Sequence, residues 1–222
     1  MEEHIFAAEV GVGARSLPGM LAVPEQARGL IIFAHGSGSS RFSPRNAYAA
    51  RVLQHNRFAT LLFDLLTPGE SADRRNVFDI GLLARRVVEA IDWARADART
   101  RSLPIGLFGA STGAAAALTA AAGRPNEIAA VVSRGGRPDL AGSALEFVRS
   151  PTLLIVGAAD SDVIPLNRAA QAKLRCESEL AIVPGAGHLF EEPGTLDQAL
   201  EAASAWFETH IQGEGDGHAA VS

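Results

Sequence analysis

Six short apolar runs, each ending in glycine or a polar residue, constrain the fold of this chain more than any other feature. They are GLIIFAHG (Gly29 to Gly36), FATLLFD (Phe58 to Asp64), LPIGLFG (Leu103 to Gly109), IAAVVSRGG (Ile128 to Gly136), PTLLIVG (Pro151 to Gly157) and SELAIVPG (Ser178 to Gly185). Runs this short with no polar alternation suit strands buried on both faces. Helical stretches lie between them. One carries Ile80, Ala84, Val87, Ile91 and Ala94 on a single stripe, and the last carries Leu196, Leu200, Ala203 and Phe207. Strands alternating with amphipathic helices predict an α/β fold with a mostly parallel sheet covered on both faces. Two weaker alternating segments, residues 4–13 and 16–23, predict an antiparallel start at one edge. Thr195 and Gln198 have the spacing of a capping box at the start of the last helix.

The 222 residues suit one domain and suffice for a sizeable core without disulfide or metal props. We expect that domain to span residues 1–211, with the polar, glycine-rich residues 212–222 as a disordered tail. A net charge of -5 and the lack of any basic block argue against nucleic acid as a partner. The lone cysteine, Cys176, expected in or beside a helix, excludes an internal disulfide framework and fits a reducing compartment. The start of the chain lacks the apolar core of a secretory signal, and no run is long enough for a membrane helix. Cytoplasmic residence is the expectation, with no membrane partner, and a homodimer is left open.

The third apolar run leads into Gly109-Ala110-Ser111-Thr112-Gly113 and then straight into an alanine-rich helix. G-x-S-x-G between a strand and a helix predicts a sharp turn that lifts the Ser111 hydroxyl clear of the sheet edge. The following helix would aim its N-terminus, and the Thr112 N–H, at a developing oxyanion. A serine hydroxyl is a weak nucleophile, so it needs a base, and the base an orienting acid. Asp160 and Asp162 follow the strand ending at Gly157, and His188 sits in the loop after the next one. Either aspartate could instead cap the helix that contains Pro165.

The order Ser111, Asp160, His188 is that of an α/β-hydrolase. With the HGSGSS loop (His35 to Ser40), the GASTG turn, the GAAD turn and the GAGH loop, the chain resembles the small, single-domain dienelactone hydrolase-like α/β-hydrolases. The resemblance implies an eight-stranded, mostly parallel sheet. It also implies Asp160 as the acid rather than Asp162, since Val163 and Pro165 follow at the family's spacing. The second oxyanion donor would be the Ser37 N–H, with Gly36 or Gly38 as alternatives, while His35 braces the loop. Dienelactone hydrolases proper carry cysteine at the turn; Ser111 there favours a general carboxylesterase over lactone-diene chemistry.

Arg134, near the end of the fourth run, and Arg137, just after it, fall on the face of the turn, where a guanidinium could hold a substrate carboxylate or simply be solvated. The chain between Gly135 and the next strand is too short for a cap domain, which predicts an open site for small soluble esters. No metal or organic cofactor is needed for acyl transfer to Ser111. A peptidase or thioesterase would use the same triad, and a catalytically silent small-molecule-binding protein is the remaining alternative on this fold.

Overall fold

The computed structural model describes residues 5–211. Eight strands form one sheet: β1 (Ile5–Val12), β2 (Leu17–Pro24), β3 (Gly29–Ala34), β4 (Phe58–Phe63), β5 (Ile105–Ala110), β6 (Ile128–Arg134), β7 (Thr152–Gly157) and β8 (Ser178–Val183). Their order is β1-β2-β4-β3-β5-β6-β7-β8. β1 and β2 pair antiparallel, as β2 does with β4, and β4 through β8 run parallel. This is the α/β-hydrolase arrangement. The chain leaves β3 for β4 on one side and returns to β5 on the other, so the loops after β3 and β5 diverge. A crevice at the carboxyl ends of the strands opens at such a reversal of strand order.

Period-two alternation sends Leu30, Ile32 and Ala34 of β3 to one face and Ile31 and Phe33 to the other. On the first face lie α4 (Ile80–Ala96), α5 (Thr112–Gly123) and α6 (Ile164–Gln171), preceded by two single-turn helices, α2 (Pro68–Ser71) and α3 (Arg74–Val77). On the second lie α1 (Pro44–His55) and α7 (Thr195–His210). The α4 stripe goes where its spacing directs it: Ala84, Val87, Ile91 and Ala94 are buried. Phe207 of α7 is fully buried against the ring of Phe58, and each such side chain contributes about 1.5–3 kcal/mol. β3, β4, β5 and β7 are buried along their whole length, whereas β8 is a half-exposed edge.

Three local expectations are corrected. The capping box at Thr195 does not form: α7 begins on Gly194, at φ 76, and the Thr195 hydroxyl donates to the Glu192 carbonyl at 2.7 Å. Cys176 lies in the loop between α6 and β8 rather than in a helix, half-buried beside the Thr152 hydroxyl. Neither Asp160 nor Asp162 caps α6, whose N-cap is Val163 with no side-chain bond. The β6–β7 connection is a short 3-10 segment, Pro138–Phe147, broken at Gly142 and packed through Leu145 into the core. No helix among the described residues is long and apolar enough to cross a membrane. The tail expected over 212–222 lies outside the described residues.

Candidate active site

β5 is buried from Ile105 to Ala110, and the chain then turns sharply at Ser111, at φ 50 and ψ -125. A non-glycine residue held there stores on the order of 1–3 kcal/mol of strain, which the surroundings must hold in place. They do so from both sides. A Cβ on Gly109 would lie 2.4 Å from Ala114 Cα, and one on Gly113 would lie 2.1 Å from the Ala34 carbonyl oxygen. The Ser111 carbonyl accepts from Ala114 N–H at 3.1 Å and from Arg137 N–H at 3.0 Å. The Ser111 hydroxyl does not cap α5. It faces a cavity of about 230 Å³ that His188 and Arg134 also line.

Asp160 and His188 meet because two loops are laced together. After β7, Ala158 N–H donates to the Val183 carbonyl and Ala159 N–H to the Ala186 carbonyl, each at 2.9 Å. This brings the Asp160 carboxylate to 2.7 Å from His188 Nδ1. A carboxylate only accepts, so Nδ1 carries the proton and the Nε2 lone pair is left free to act as a base. Asp160 is nearly enclosed, its side chain 12% exposed, against 39% for His188. Asp162 is exposed.

His35 fixes the loop after β3. Its Nε2 accepts from Leu65 N–H and its Nδ1–H donates to the Gly36 carbonyl, both at 3.0 Å. Burial pushes its pKa down, against the Gly36 bond and the Asp64 charge, so the ring stays neutral and structural. Gly36 passes so close to the turn that a Cβ on it would lie 2.8 Å from Ser111 Cβ. The expected second oxyanion donor is engaged: Ser37 N–H donates to the Thr112 hydroxyl at 3.0 Å. The Thr112 N–H, first in α5, has no intrahelical acceptor. Beyond this loop, and sharing Gly36 and Ser37 with the first cavity, lies a hollow of about 480 Å³ walled by Pro18, Leu65, Val77 and Leu83.

The two arginines part ways. Arg137 forms a two-pronged pair with Asp139, both contacts at 2.8 Å, which raises its pKa. Arg134 ends β6 and is only 6% exposed, with its guanidinium near the rings of Phe108 and Phe190. Nη2 donates to Asn46 Oδ1 at 3.2 Å, while Nε and Nη1 have no partner. Burial, helped by the charge of Arg45, lowers its pKa to about 10, so it remains charged at neutral pH.

Asn46, with Ser43 and Arg45, brings the first turn of α1 to the cavity wall, and sequence reasoning did not single it out. A signal existed: Asn46, Ala49, Ala50 and Leu53 form the buried stripe of α1, and a lone amide on an apolar stripe calls for a partner.

No family model matches the chain. A dienelactone hydrolase from Anabaena variabilis is 52% identical to it, with a TM-score of 0.91 over 96% of this chain and 100% of that one. Two Mycobacterium tuberculosis proteins that carry the name phosphoribosyl transferase are 57% identical over 209 residues, or 93% of this chain and 47% of theirs. The chain thus spans about half the length of the curated relatives it matches. Est1E from Butyrivibrio proteoclasticus, solved with ferulic acid bound, shares the fold at 18% identity and a TM-score of 0.77, over 92% of this chain and 99% of that one.

Proposed function

The chain belongs to the dienelactone hydrolase-like family of α/β-hydrolases, and from that premise we propose that it is a serine hydrolase cleaving small carboxylic esters through an acyl-enzyme on Ser111. The observation that carries this reading is the Asp160–His188 pair at 2.7 Å, in reach of the cavity onto which the strained Ser111 opens.

In the first half-reaction His188 Nε2 takes the Ser111 proton as Oγ bonds to the ester carbon, and the carbonyl π electrons move to oxygen. Asp160 holds the Nδ1–H tautomer and stabilises the imidazolium. The oxyanion accepts from Thr112 N–H and from Ser37 N–H, which turns from the Thr112 hydroxyl or shares its proton with it. Each donor contributes about 2.7–4 kcal/mol of barrier lowering. His188 then protonates the leaving alkoxide as the C–O bond breaks. Water, deprotonated by His188, releases the acid by the same steps. A cavity of about 230 Å³ at the nucleophile suits a small ester. The name of the Mycobacterium tuberculosis relatives belongs to proteins about twice as long, and the triad geometry here favours hydrolysis.

Turnover of p-nitrophenyl acetate tests the reading. Asp160→Asn should lower kcat by about 10⁴-fold, the scale seen when a triad acid is lost, whereas Asp162→Asn should stay near wild type. Faster cleavage of a matched anilide or acyl thioester would move the assignment to a peptidase or thioesterase. Absence of turnover on all three substrates would overturn it.

A further inference from the structure

We infer that the Thr112 side chain is a positioning group for the reaction at Ser111: its hydroxyl holds the Ser37 N–H beside the Thr112 N–H, so that one residue sets both oxyanion donors before substrate arrives. The inference rests on the hydrolase reading and deepens it.

The loop that supplies the second donor is anchored at its two ends and loose between them. At its start the His35 ring is bonded to Leu65 N–H and to the Gly36 carbonyl. At its far end Arg41 N–H donates to the Asp64 carboxylate at 2.8 Å. Between these anchors Ser37, Gly38 and Ser39 are exposed, Gly38 stands at φ 70, and a Cβ on it would meet nothing within 4 Å. The turn's own bond, from Ser39 N–H to the Gly36 carbonyl at 3.2 Å, is local. The bond that crosses from this stretch to the nucleophile turn is the one from Ser37 N–H to the Thr112 hydroxyl, at 3.0 Å across 75 positions. Its acceptor end is rigid. Thr112 is buried at the first position of α5, and the next residue, Gly113, packs on the end of β3, where a Cβ would lie 2.6 Å from the His35 carbonyl oxygen. Ser37 itself lines the cavity onto which Ser111 opens.

Without that acceptor, an exposed glycine-bearing loop would be free to turn the Ser37 N–H to water. The threonine oxygen keeps it facing the turn with a neutral bond, weaker than the charge-assisted bond an oxyanion offers. As charge develops on the carbonyl oxygen beside Thr112 N–H, the Ser37 N–H is shared between that oxygen and the hydroxyl in a three-centre bond. Donors already in place need no reorganisation at the moment of reaction, which is where their effect on the barrier comes from. The hydroxyl keeps its own proton throughout. The competing outcome is that the hydroxyl only occupies the N–H and has to be displaced from it.

The test compares wild type with Thr112→Val, which keeps the side-chain shape and loses the acceptor, and Thr112→Ser, which keeps the acceptor and loses the methyl group. Two quantities are read: kcat/KM for p-nitrophenyl acetate, and the inhibition constant of trifluoroacetone. Ser111 Oγ adds to the carbonyl carbon of this ketone as His188 takes the proton, and the resulting charged oxygen occupies the place of the reaction oxyanion. Deleting an oxyanion donor outright costs about 10²–10³-fold in kcat, so loss of its positioning alone should lower kcat/KM of Thr112→Val by about tenfold. Binding of the ketone should weaken in proportion, because both quantities report the same charged geometry. Thr112→Ser should recover most of both losses. A Thr112→Val variant as fast as wild type overturns the inference, and a faster one shows that the hydroxyl competes with the oxyanion. Equal losses in the valine and serine variants overturn it as well, and so does a slower Thr112→Val that binds the ketone as wild type does, the mark of a merely structural role. Should Thr112→Val fail to fold, Thr112→Ala takes its place in the same comparison. All of these outcomes leave the hydrolase reading standing. A wild-type protein that neither cleaves the ester nor binds the ketone removes that reading, and the inference with it.

Discussion

Arg86 and Arg134 are nearly equally buried, at 2% and 6% exposure, yet they are treated in opposite ways. Arg86, in α4, donates to Glu89 at 2.9 Å and to Glu70 at 2.8 Å, so two carboxylates surround its charge. Glu70 is itself fixed in a capping box with Thr67, and the cluster ties α2 to α4. Arg134, on the opposite face of the sheet, has one amide oxygen. The fold therefore has the means to neutralise a buried guanidinium and uses them away from the cavity. At the cavity wall the charge is met by that amide oxygen alone among the described residues. Unmet polarity of this kind belongs to function more than to stability.

The largest effect that could break this contrast is on stability. Arg86→Met strands Glu89 and leaves Glu70 with only Arg15 and the Thr67 N–H, and should lower the unfolding free energy by about 3 kcal/mol, seen as a lower urea midpoint at unchanged slope. Arg134→Met removes a charge with no counter-charge to strand. Loss of its ring contacts with Phe108 and Phe190 works against that gain. Its stability should therefore stay within about 1 kcal/mol of wild type. Equal losses in the two variants would show that Arg134 is as structural as Arg86.

The smallest effect is a pH dependence. Glu70 has its pKa held below the ordinary 4.5 by the Thr67 N–H and by Arg86. Its stabilisation is thus present above that ordinary value and is lost as pH falls through the lowered one. Glu70→Gln should flatten the acid limb of a stability profile, and Arg134→Met should leave that limb unchanged.

Much of the fold was legible in the sequence because it rests on local rules. The apolar runs became β3 to β8, the stripe on α4 is buried, and Gly109 and Gly113 stand where a Cβ would strike Ala114 or Ala34. The candidate site was legible where it depends on loops that follow such strands. Asp160 and His188 meet because the turns after β7 and β8 are bonded to each other. What was not legible depends on contacts between distant segments. The Thr112 hydroxyl takes the Ser37 N–H across 75 positions, and Asn46 reaches Arg134 across 88. No spacing rule reports such pairs. The capping box at Thr195 failed for a related reason, since the left-handed Gly194 opens α7 and turns the hydroxyl back to Glu192.

The central claim is that Ser111 is the nucleophile. Labelling of the wild-type protein with a fluorophosphonate, followed by mass mapping of the modified peptide, tests it most directly. The expected result is one adduct, on Ser111, absent from Ser111→Ala and greatly slowed in a variant in which His188 is replaced by alanine. An unlabelled wild-type protein, or equal labelling of Ser111→Ala, would contradict it.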